Sequence, residues 1–363
     1  MAREAVDRRH GIASGGARHC QEPDLDHITT SLRDLGGNPN CEAIGDGAFS
    51  RKCARMGRAA EGEAGVVTAV AILTDGLVYA AWLFVVAVGL ALIFGVMKIL
   101  NIAHGAFYAY GAYTAATALG VYFHAGLPVA GSYLAMVAPA LLIGLLLGFF
   151  LERVLLRRLY GRDAVVIVLA TFALFLILED VLLLIWGAQG RSAYQPYIEA
   201  GNIIVGGLPV SNYDIGLVLA AAFLACVASY GLKRTRFGRL LATVIYDRET
   251  AAAFGINVAR VFVVTFLLGA ALGALGGALT APKISVVPGI GVEVMVLAFA
   301  VVAIGGMGSI EGALAGALIV GIFRAAAVHL APQLELFVIY AVMAMVLAIR
   351  PHGLFARAEP RKI

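Results

Sequence analysis

Residues 73–96 read LTDGLVYAAWLFVVAVGLALIFGV, an apolar run with a single charged side chain, Asp75. A bilayer core of about 30 Å requires roughly 20 apolar residues in a helix that rises about 1.5 Å per residue. The run is therefore long enough to cross a membrane. Similar runs predict further helices near residues 99–122, 127–150, 165–186, 215–232, 261–281, 292–304, 313–330 and 336–349.

This series predicts an all-α integral membrane protein, a polytopic bundle of about eight or nine transmembrane helices. The first two runs and the run from Val292 are short or rich in glycine, so each is either a full crossing or a broken, half-crossing helix. Composition agrees: apolar residues make up 61% of the chain and charged ones 14%, with a mean hydropathy of +0.89. A soluble domain has roughly 45–50% apolar residues and about 25% charged residues, so much of the surface of this protein must face lipid.

The first 65 residues differ from the rest of the chain. Met1–Ala64 hold nine Lys or Arg, ten Asp or Glu and no apolar run of any length. Two interpretations remain open: a disordered tail, or an extension translated from a wrongly chosen start codon, with Met56 or a position near Val66 as the authentic start. The expected organisation is an N-terminal extension (1–65), a transmembrane domain (66–357) and a short cytoplasmic tail (358–363).

Basic residues orient the bundle. They cluster after the third and fifth predicted helices, as Arg153, Arg157, Arg158 and Arg162 and as Lys233, Arg234, Arg236 and Arg239. Loops rich in Lys and Arg face the cytoplasm, so the loop 187–214, with Arg191 as its only basic residue, is expected outside. The basic clusters do not interleave with aromatic residues, and we expect no nucleic-acid partner.

Polar residues inside apolar sequence are candidates for a solute pathway. Asn101 and His104, followed by Gly105, are predicted to share one helical face, where they either line a wet cavity or form an interhelical hydrogen bond. A lone histidine without partners at ligand spacing does not indicate a metal site. Glu293 follows a segment rich in Pro and Gly and is either a pathway residue or an interfacial carboxylate.

The loop 236–260 reads RFGRLLATVIYDRETAAAFGINVAR and predicts a short amphipathic helix at the cytoplasmic surface. Gly255 is suited to cap its C-terminus. Such a helix either docks into a groove of a soluble partner, where small residues permit close approach, or is a structural surface helix. Its candidate contact residues are Gly238, Arg239, Asp247, Glu249, Ala251, Ala252, Gly255 and Ile256.

Three motifs in order resemble those of the LivH-type permeases of branched-chain amino acid ABC importers. They are Asn101–Gly105 leading into Gly111–Tyr113, the loop with Gly238–Arg239, Asp247, Ala251–Ala252 and Gly255–Asn257, and the glycine-rich Gly305–Ala313. The resemblance covers about residues 70–357. Two positions differ from the usual family pattern. Ala242 stands where a second arginine is usual, and Ala106 is a small residue at a position that varies in the family between Glu and small residues.

The resemblance implies a permease of the bacterial inner membrane that moves branched-chain amino acids or related small polar solutes by alternating access. It also implies three partners: ATP-binding cassette subunits that contact loop 236–260, a second homologous permease and an extracytoplasmic solute-binding protein. The chain has no G-x-x-x-x-G-K-[ST] phosphate loop, so a partner must hydrolyse the ATP, and we expect no bound cofactor.

Two other classes of protein fit the sequence less well. A stand-alone secondary transporter or channel would need more charged residues inside the helices and would leave the loop 236–260 unexplained. A membrane enzyme would need a catalytic motif, and the sequence has no H-E-x-x-H and no G-x-S-x-G. We therefore expect no catalytic residues in this chain.

Overall fold

The computed structural model describes residues 47–205 and 207–355, and every predicted apolar run overlaps one of its helices. The helices are α1 (Gly47–Met97), α2 (His104–His124), α3 (Ser132–Leu151), α4 (Ala164–Trp186), α5 (Gln195–Glu199), α6 (Asn212–Arg234), α7 (Arg236–Tyr246), α8 (Arg248–Ala253), α9 (Val258–Thr280), α10 (Ile290–Gly305), α11 (Ile310–Leu330) and α12 (Glu335–Ile349). Residues 1–46 and the tail 358–363 lie outside the described residues, so the predicted domain boundaries stay predictions.

Seven helices in the described part of the chain are long and apolar enough to cross a bilayer. They are α1 from Gly65 onward, α3 with its flanking turns (Val129–Leu159), α4, α6, α9, α11 and α12 with the turn that precedes it. The shorter apolar helix α10 joins them, and this confirms the predicted polytopic all-α fold. A small antiparallel hairpin of β1 (Asn202–Val205) and β2 (Leu208–Ser211) precedes α6 and was not predicted.

The core is built around α2, which packs closely against α9 and α3. Most of α2 is buried by protein, so its residues Tyr108, Tyr110 and Tyr113 do not face lipid. Glycine lets the backbones touch: a Cβ on Gly111 would lie 2.1 Å from the carbonyl oxygen of Ala274, and one on Gly277 would lie 2.0 Å from that of Tyr108. Small residues of this kind hold helices together where lipid provides no hydrophobic drive.

Helix α2 begins deep inside the bundle. The imidazole Nε2 of His104, its first residue, lies 3.1 Å from the carbonyl oxygen of Val86 in α1. Val86 is eleven residues from Met97, the C-terminal end of α1, or about 16 Å at 1.5 Å per residue. The chain therefore returns about half-way into the bundle as the non-helical segment 98–103 before α2 starts.

Helix α10 begins at a similar depth and runs the other way. A Cβ on Gly291, in its first turn, would lie 2.6 Å from Oε1 of Glu179 and 2.9 Å from the carbonyl oxygen of Gly105. Glu179 is fifteen residues from Ala164, the N-terminal end of α4, or about 22 Å along that helix. The run from Val292 is therefore a half-crossing helix, one of the two predicted alternatives.

The predicted position of Asn101 on the same helical face as His104 is wrong. Asn101 precedes α2, and its carbonyl oxygen accepts a hydrogen bond of 3.2 Å from the backbone N–H of His104 in the turn that opens the helix. The helix does not extend back to residue 99 because Lys98, with φ of 55°, ends α1 in the left-handed conformation. The backbone N–H of Ile102 is satisfied by Oγ1 of Thr171 at 3.3 Å.

The glycine contact between α2 and α9 predicts a sharp difference between two substitutions. Gly277→Ala places a methyl group against the backbone of α2 and should destabilise the protein by about 1–3 kcal/mol or more. Gly216→Ala, inside α6, meets none of the described residues within 4 Å and should leave stability unchanged or raise it slightly, since alanine favours a helix over glycine. Thermal unfolding of both variants, followed by size-exclusion fluorescence, measures the difference; equal melting temperatures would contradict the contact.

Candidate functional site

A cavity of about 480 Å³ lies among the helices. We name it the outer cavity, because its segment 281–289 pairs at Val286 with Arg191 of the loop that is predicted to face outside. It is lined by α1, the start of α2 and α6, the segment 281–289, the first two turns of α10 and the last turns of α11. Its polar lining residues are Asp75, Tyr79, Trp82, Tyr108, Asp214, Thr280, Lys283, Ser285, Glu293, Arg324 and His329, and apolar side chains such as Val78, Val294 and Leu297 complete the wall. The size suits a small solute.

Most charged groups of this cavity are paired. Lys283 forms an ion pair with Asp214, and Nε2 of His329 lies 2.7 Å from Oδ2 of Asp75. Arg324, inside α11, forms an ion pair with Glu335 at the start of α12. The guanidinium of Arg324 also lies over the ring of Tyr79, with Cζ 4.0 Å from its centroid.

Glu293 projects from the first turn of α10 and lines the cavity. No Lys, Arg or His of the described residues lies within ion-pair distance of its carboxylate. Aromatic side chains form the adjoining wall: the rings of Tyr79 and Trp82 meet edge to face at 5.0 Å, and those of Trp82 and Tyr108 lie 6.2 Å apart. The hydroxyl groups of Tyr108 and Thr280 are hydrogen-bonded at 2.6 Å.

The starts of the two broken helices meet beside this cavity. A Cβ on Gly105 would lie 2.3 Å from the carbonyl oxygen of Gly291, so the first turns of α2 and α10 are in backbone contact. Oε2 of Glu179 accepts a hydrogen bond of 3.3 Å from the backbone N–H of Gly289, just before α10. A carboxylate is favourable there because the N-terminus of a helix carries partial positive charge.

Asn101 and His104 lie away from the cavity wall. Both are buried, with 1% and 0% of their surfaces exposed. His104 has the interhelical hydrogen bond to Val86, while its Nδ1 and both side-chain polar atoms of Asn101 have no partner among the described residues. His104 therefore forms the interhelical hydrogen bond that was one of its two predicted roles. Contact of Asn101 or His104 with a solute stays a prediction.

The cytoplasmic loop forms two helices, α7 and α8, where one was predicted. The break falls at Asp247, whose extended backbone ends α7 and whose carboxylate caps α8. Oδ1 accepts hydrogen bonds from the N–H groups of Glu249 and Thr250 at 2.9 and 3.1 Å, and Oδ2 accepts one from the Thr250 hydroxyl. Sequence periodicity did not reveal this break because Asp247 fits either the interior of one helix or the cap of the next.

The bonds from the Thr250 side chain and backbone lower the pKa of the Asp247 carboxyl below its ordinary value of 3.8. Because the folded pKa is depressed, the stabilisation by the cap is complete above the unfolded pKa. It is lost only as the pH falls through the lower, folded pKa. At neutral pH the cap is therefore ionised.

The predicted role of Gly255 as a helix cap is confirmed. Its φ is 78°, and the N–H groups of Gly255 and Ile256 donate to the carbonyl oxygens of Ala252 and Ala251 at 3.0 and 3.1 Å. This is the Schellman pattern of a helix C-terminus. Of the predicted contact residues, Gly238 and Ala251 are buried, Ile256 is half-buried, and Arg239, Asp247, Glu249, Ala252 and Gly255 are exposed.

We name the exposed face of α7, α8 and the turn after them the coupling surface (residues 239–255). Two aromatic side chains on it were missed from the sequence: Tyr246 is 73% exposed and Phe254 is 80% exposed. Ala242, where the resemblance expects an arginine, is exposed on the same face. Large aromatic side chains that are exposed are typical anchors of a protein interface.

Arg248 joins the coupling surface to the broken helix segment. Its Nη2 donates to the carbonyl oxygen of Met97 at 2.5 Å, and its guanidinium lies over the ring of Phe262 in α9. Met97 is the last residue of α1, directly before the segment 98–103 that leads to α2. Arg248 was missed because its partner lies 151 residues away in the sequence.

Comparison with known proteins gives consistent results. The model of a family described as "Branched-chain amino acid transport system / permease component" matches residues 72–347. The chain is 28% identical over 300 residues to the high-affinity branched-chain amino acid transport system permease protein BraD of Pseudomonas aeruginosa, a match that covers 80% of this chain and 97% of BraD. It is 28% identical over 299 residues to the corresponding protein LivH of Escherichia coli K12, covering 80% and 95%.

Among solved structures, the chain is similar to PsaBC from Streptococcus pneumoniae in complex with Fab. The TM-score is 0.42 at 14% identity, over 77% of this chain and 90% of the other.

Proposed function

This chain belongs to the family of permease components of branched-chain amino acid transport systems, and from that membership we propose how it works within an ATP-driven importer. It is a multi-pass permease of the inner membrane. In the proposal it translocates branched-chain amino acids or related small polar solutes by alternating access, driven by ATP hydrolysis in a separate subunit.

The observation that carries the proposal is the link between the coupling surface and the broken helices. Arg248 holds the C-terminal end of α1, and the segment 98–103 connects that end to the start of α2. A force applied to α8 from the cytoplasm therefore reaches the place where α2 and α10 meet, beside the cavity. Coupling between two sites requires an element with two conformations whose equilibrium both sites influence.

The proposal assigns each energetic step to a partner. ATP-binding cassette subunits contact the coupling surface and hydrolyse ATP, a second homologous permease completes the membrane part, and an extracytoplasmic solute-binding protein delivers the solute. This chain then has no enzymatic role of its own and binds no cofactor. Closure of the ATPase pair would shift α7 and α8 and move the start of α2 relative to α10.

The solute pathway in this proposal runs from the outer cavity past Glu293 to the junction of α2 and α10. Gly105 lies at that junction because only a residue without a side chain fits against Gly291. His104 fixes α2 to α1 through Val86, and Asn101 lies in the segment that must move. The unpartnered amide of Asn101 supports a role in a second conformation, since a buried amide without hydrogen bonds is unfavourable.

A stand-alone transporter or channel is the other candidate function. It gives no role to the exposed aromatic side chains of Tyr246 and Phe254, and it does not explain why Arg248 connects α8 with the end of α1. The coupling surface therefore favours a permease that is driven by another subunit.

Phe254→Ala tests the coupling surface. The exposed ring is expected to fill a pocket of the ATPase subunit, so its removal should weaken co-purification of that subunit about tenfold or more. Solute-stimulated ATP hydrolysis should fall in parallel. Phe223→Ala, which removes a ring that is 70% exposed on α6, is the matched control; equal behaviour of the two variants would refute the assignment.

Asn101→Leu separates a structural from a mechanistic role. Replacing an unsatisfied buried amide by an apolar group of similar size should leave the melting temperature unchanged or raise it. Uptake by the complete transporter should nevertheless fall, since the amide is needed in the second conformation. Ile102→Leu controls for disturbance of the segment. Normal uptake by the Asn101→Leu variant would return Asn101 to a purely structural role.

A further inference from the structure

The outer cavity has an excess of carboxylates. Its permanently charged cations, Lys283 and Arg324, are both engaged, by Asp214 and Glu335. Glu293 lines the same cavity without an ion pair among the described residues. An anionic group entering here must compete with existing ion pairs, whereas a cationic group finds an unpaired carboxylate.

Asp75 adds to this excess. It is bonded to Nε2 of His329, an interaction that a neutral histidine also makes by donating its N–H. With Asp214, Glu293 and Glu335, four carboxylates face two permanent cations in and beside the cavity, and the field favours positive charge.

The cavity wall suits an ammonium group attached to an apolar body. The faces of aromatic rings attract cations, and tryptophan does so most strongly. Arg324 already covers the ring of Tyr79, but Trp82 has no cation over it in the described residues. Ile284 and Val287, two exposed residues of the cavity wall, provide an apolar surface for the remainder of the molecule.

From this arrangement we infer that Glu293 is the acceptor for a primary ammonium group of the solute, with Trp82 in the wall of the same cavity. The inference rests on the proposed function and adds the residue that would hold the ammonium group. The carboxylate of a zwitterionic solute would have to share the ammonium of Lys283 with Asp214, which is possible because that ammonium has three donors.

The two tryptophans of the chain provide a direct test. Trp82 lines the cavity, while Trp186 lies at the outer end of α4, where its Nε1 donates to Thr117. In the Trp186→Phe variant, reconstituted as the full chain in lipid nanodiscs, all tryptophan fluorescence comes from Trp82. Titration with 3-methylbutylamine, L-leucine, 3-methylbutanamide and 3-methylbutanoate then compares an ammonium, a zwitterion, a neutral amide and an anion of similar shape.

The amine and leucine should change the Trp82 signal, and the amide and the anion should bind at least about tenfold more weakly. Glu293→Gln should reduce the affinity for the amine about tenfold or more, and Glu293→Asp should retain most of it. Asp180→Asn, which removes a carboxylate of α4 outside the cavity wall, should have no effect. The Trp82→Phe variant, with Trp186 alone, should give no response to any probe.

Equal binding of amine and amide, or unchanged amine affinity in Glu293→Gln, would overturn the ammonium site. If the Glu293→Gln variant fails to fold, the amine affinity of the Glu293→Asp variant still tests the site. Binding is measured on the chain alone, so its result is independent of transport. Intact amine binding together with failure of the complete assembly to transport leucine would overturn the proposed function instead.

Discussion

The structure depends on one constraint: inside a bilayer, every backbone N–H and C=O group must find a partner within the protein. A helix can therefore begin in the middle of the membrane only where other helices shield its first turn. This is the situation of α2 and α10. Thr171 satisfies the N–H of Ile102, Glu179 accepts from Gly289, and Gly105 and Gly291 close the space between the two helix starts. The seven long helices form the protein surroundings in which this junction is stable.

The same junction explains why the two functional surfaces are at opposite ends of the molecule. The cavity lies between the N-terminal parts of α1 and α6 and the C-terminal part of α11, whereas the coupling surface lies between the C-terminus of α6 and the N-terminus of α9. The non-helical segment 98–103 and the start of α10 lie between the two surfaces and lack continuous helical hydrogen bonds. A rearrangement there disturbs few backbone bonds, so it is the natural place for an alternating-access motion.

Much of this fold is predictable from the sequence, because lipid imposes a strong pattern on residues that cross it. The helix ends near Trp186, Leu330 and Ile349 lie where the apolar runs end. The contacts that make the site are not predictable in this way. Arg248 with Met97 and Arg324 with Glu335 join residues from different helices, and no local periodicity encodes such pairs. Asn101 was misplaced because the same apolar surroundings suit a continuous helix and a buried break.

The central claim is that the cavity opens on the side opposite to the coupling surface. Single cysteines introduced at Ser285, exposed in the cavity, and at Thr243, exposed on α7, test it after the native cysteines are replaced. A membrane-impermeant maleimide applied to intact cells should label Ser285→Cys and should reach Thr243→Cys only after the membrane is opened. Labelling of both positions from the same side would contradict the account.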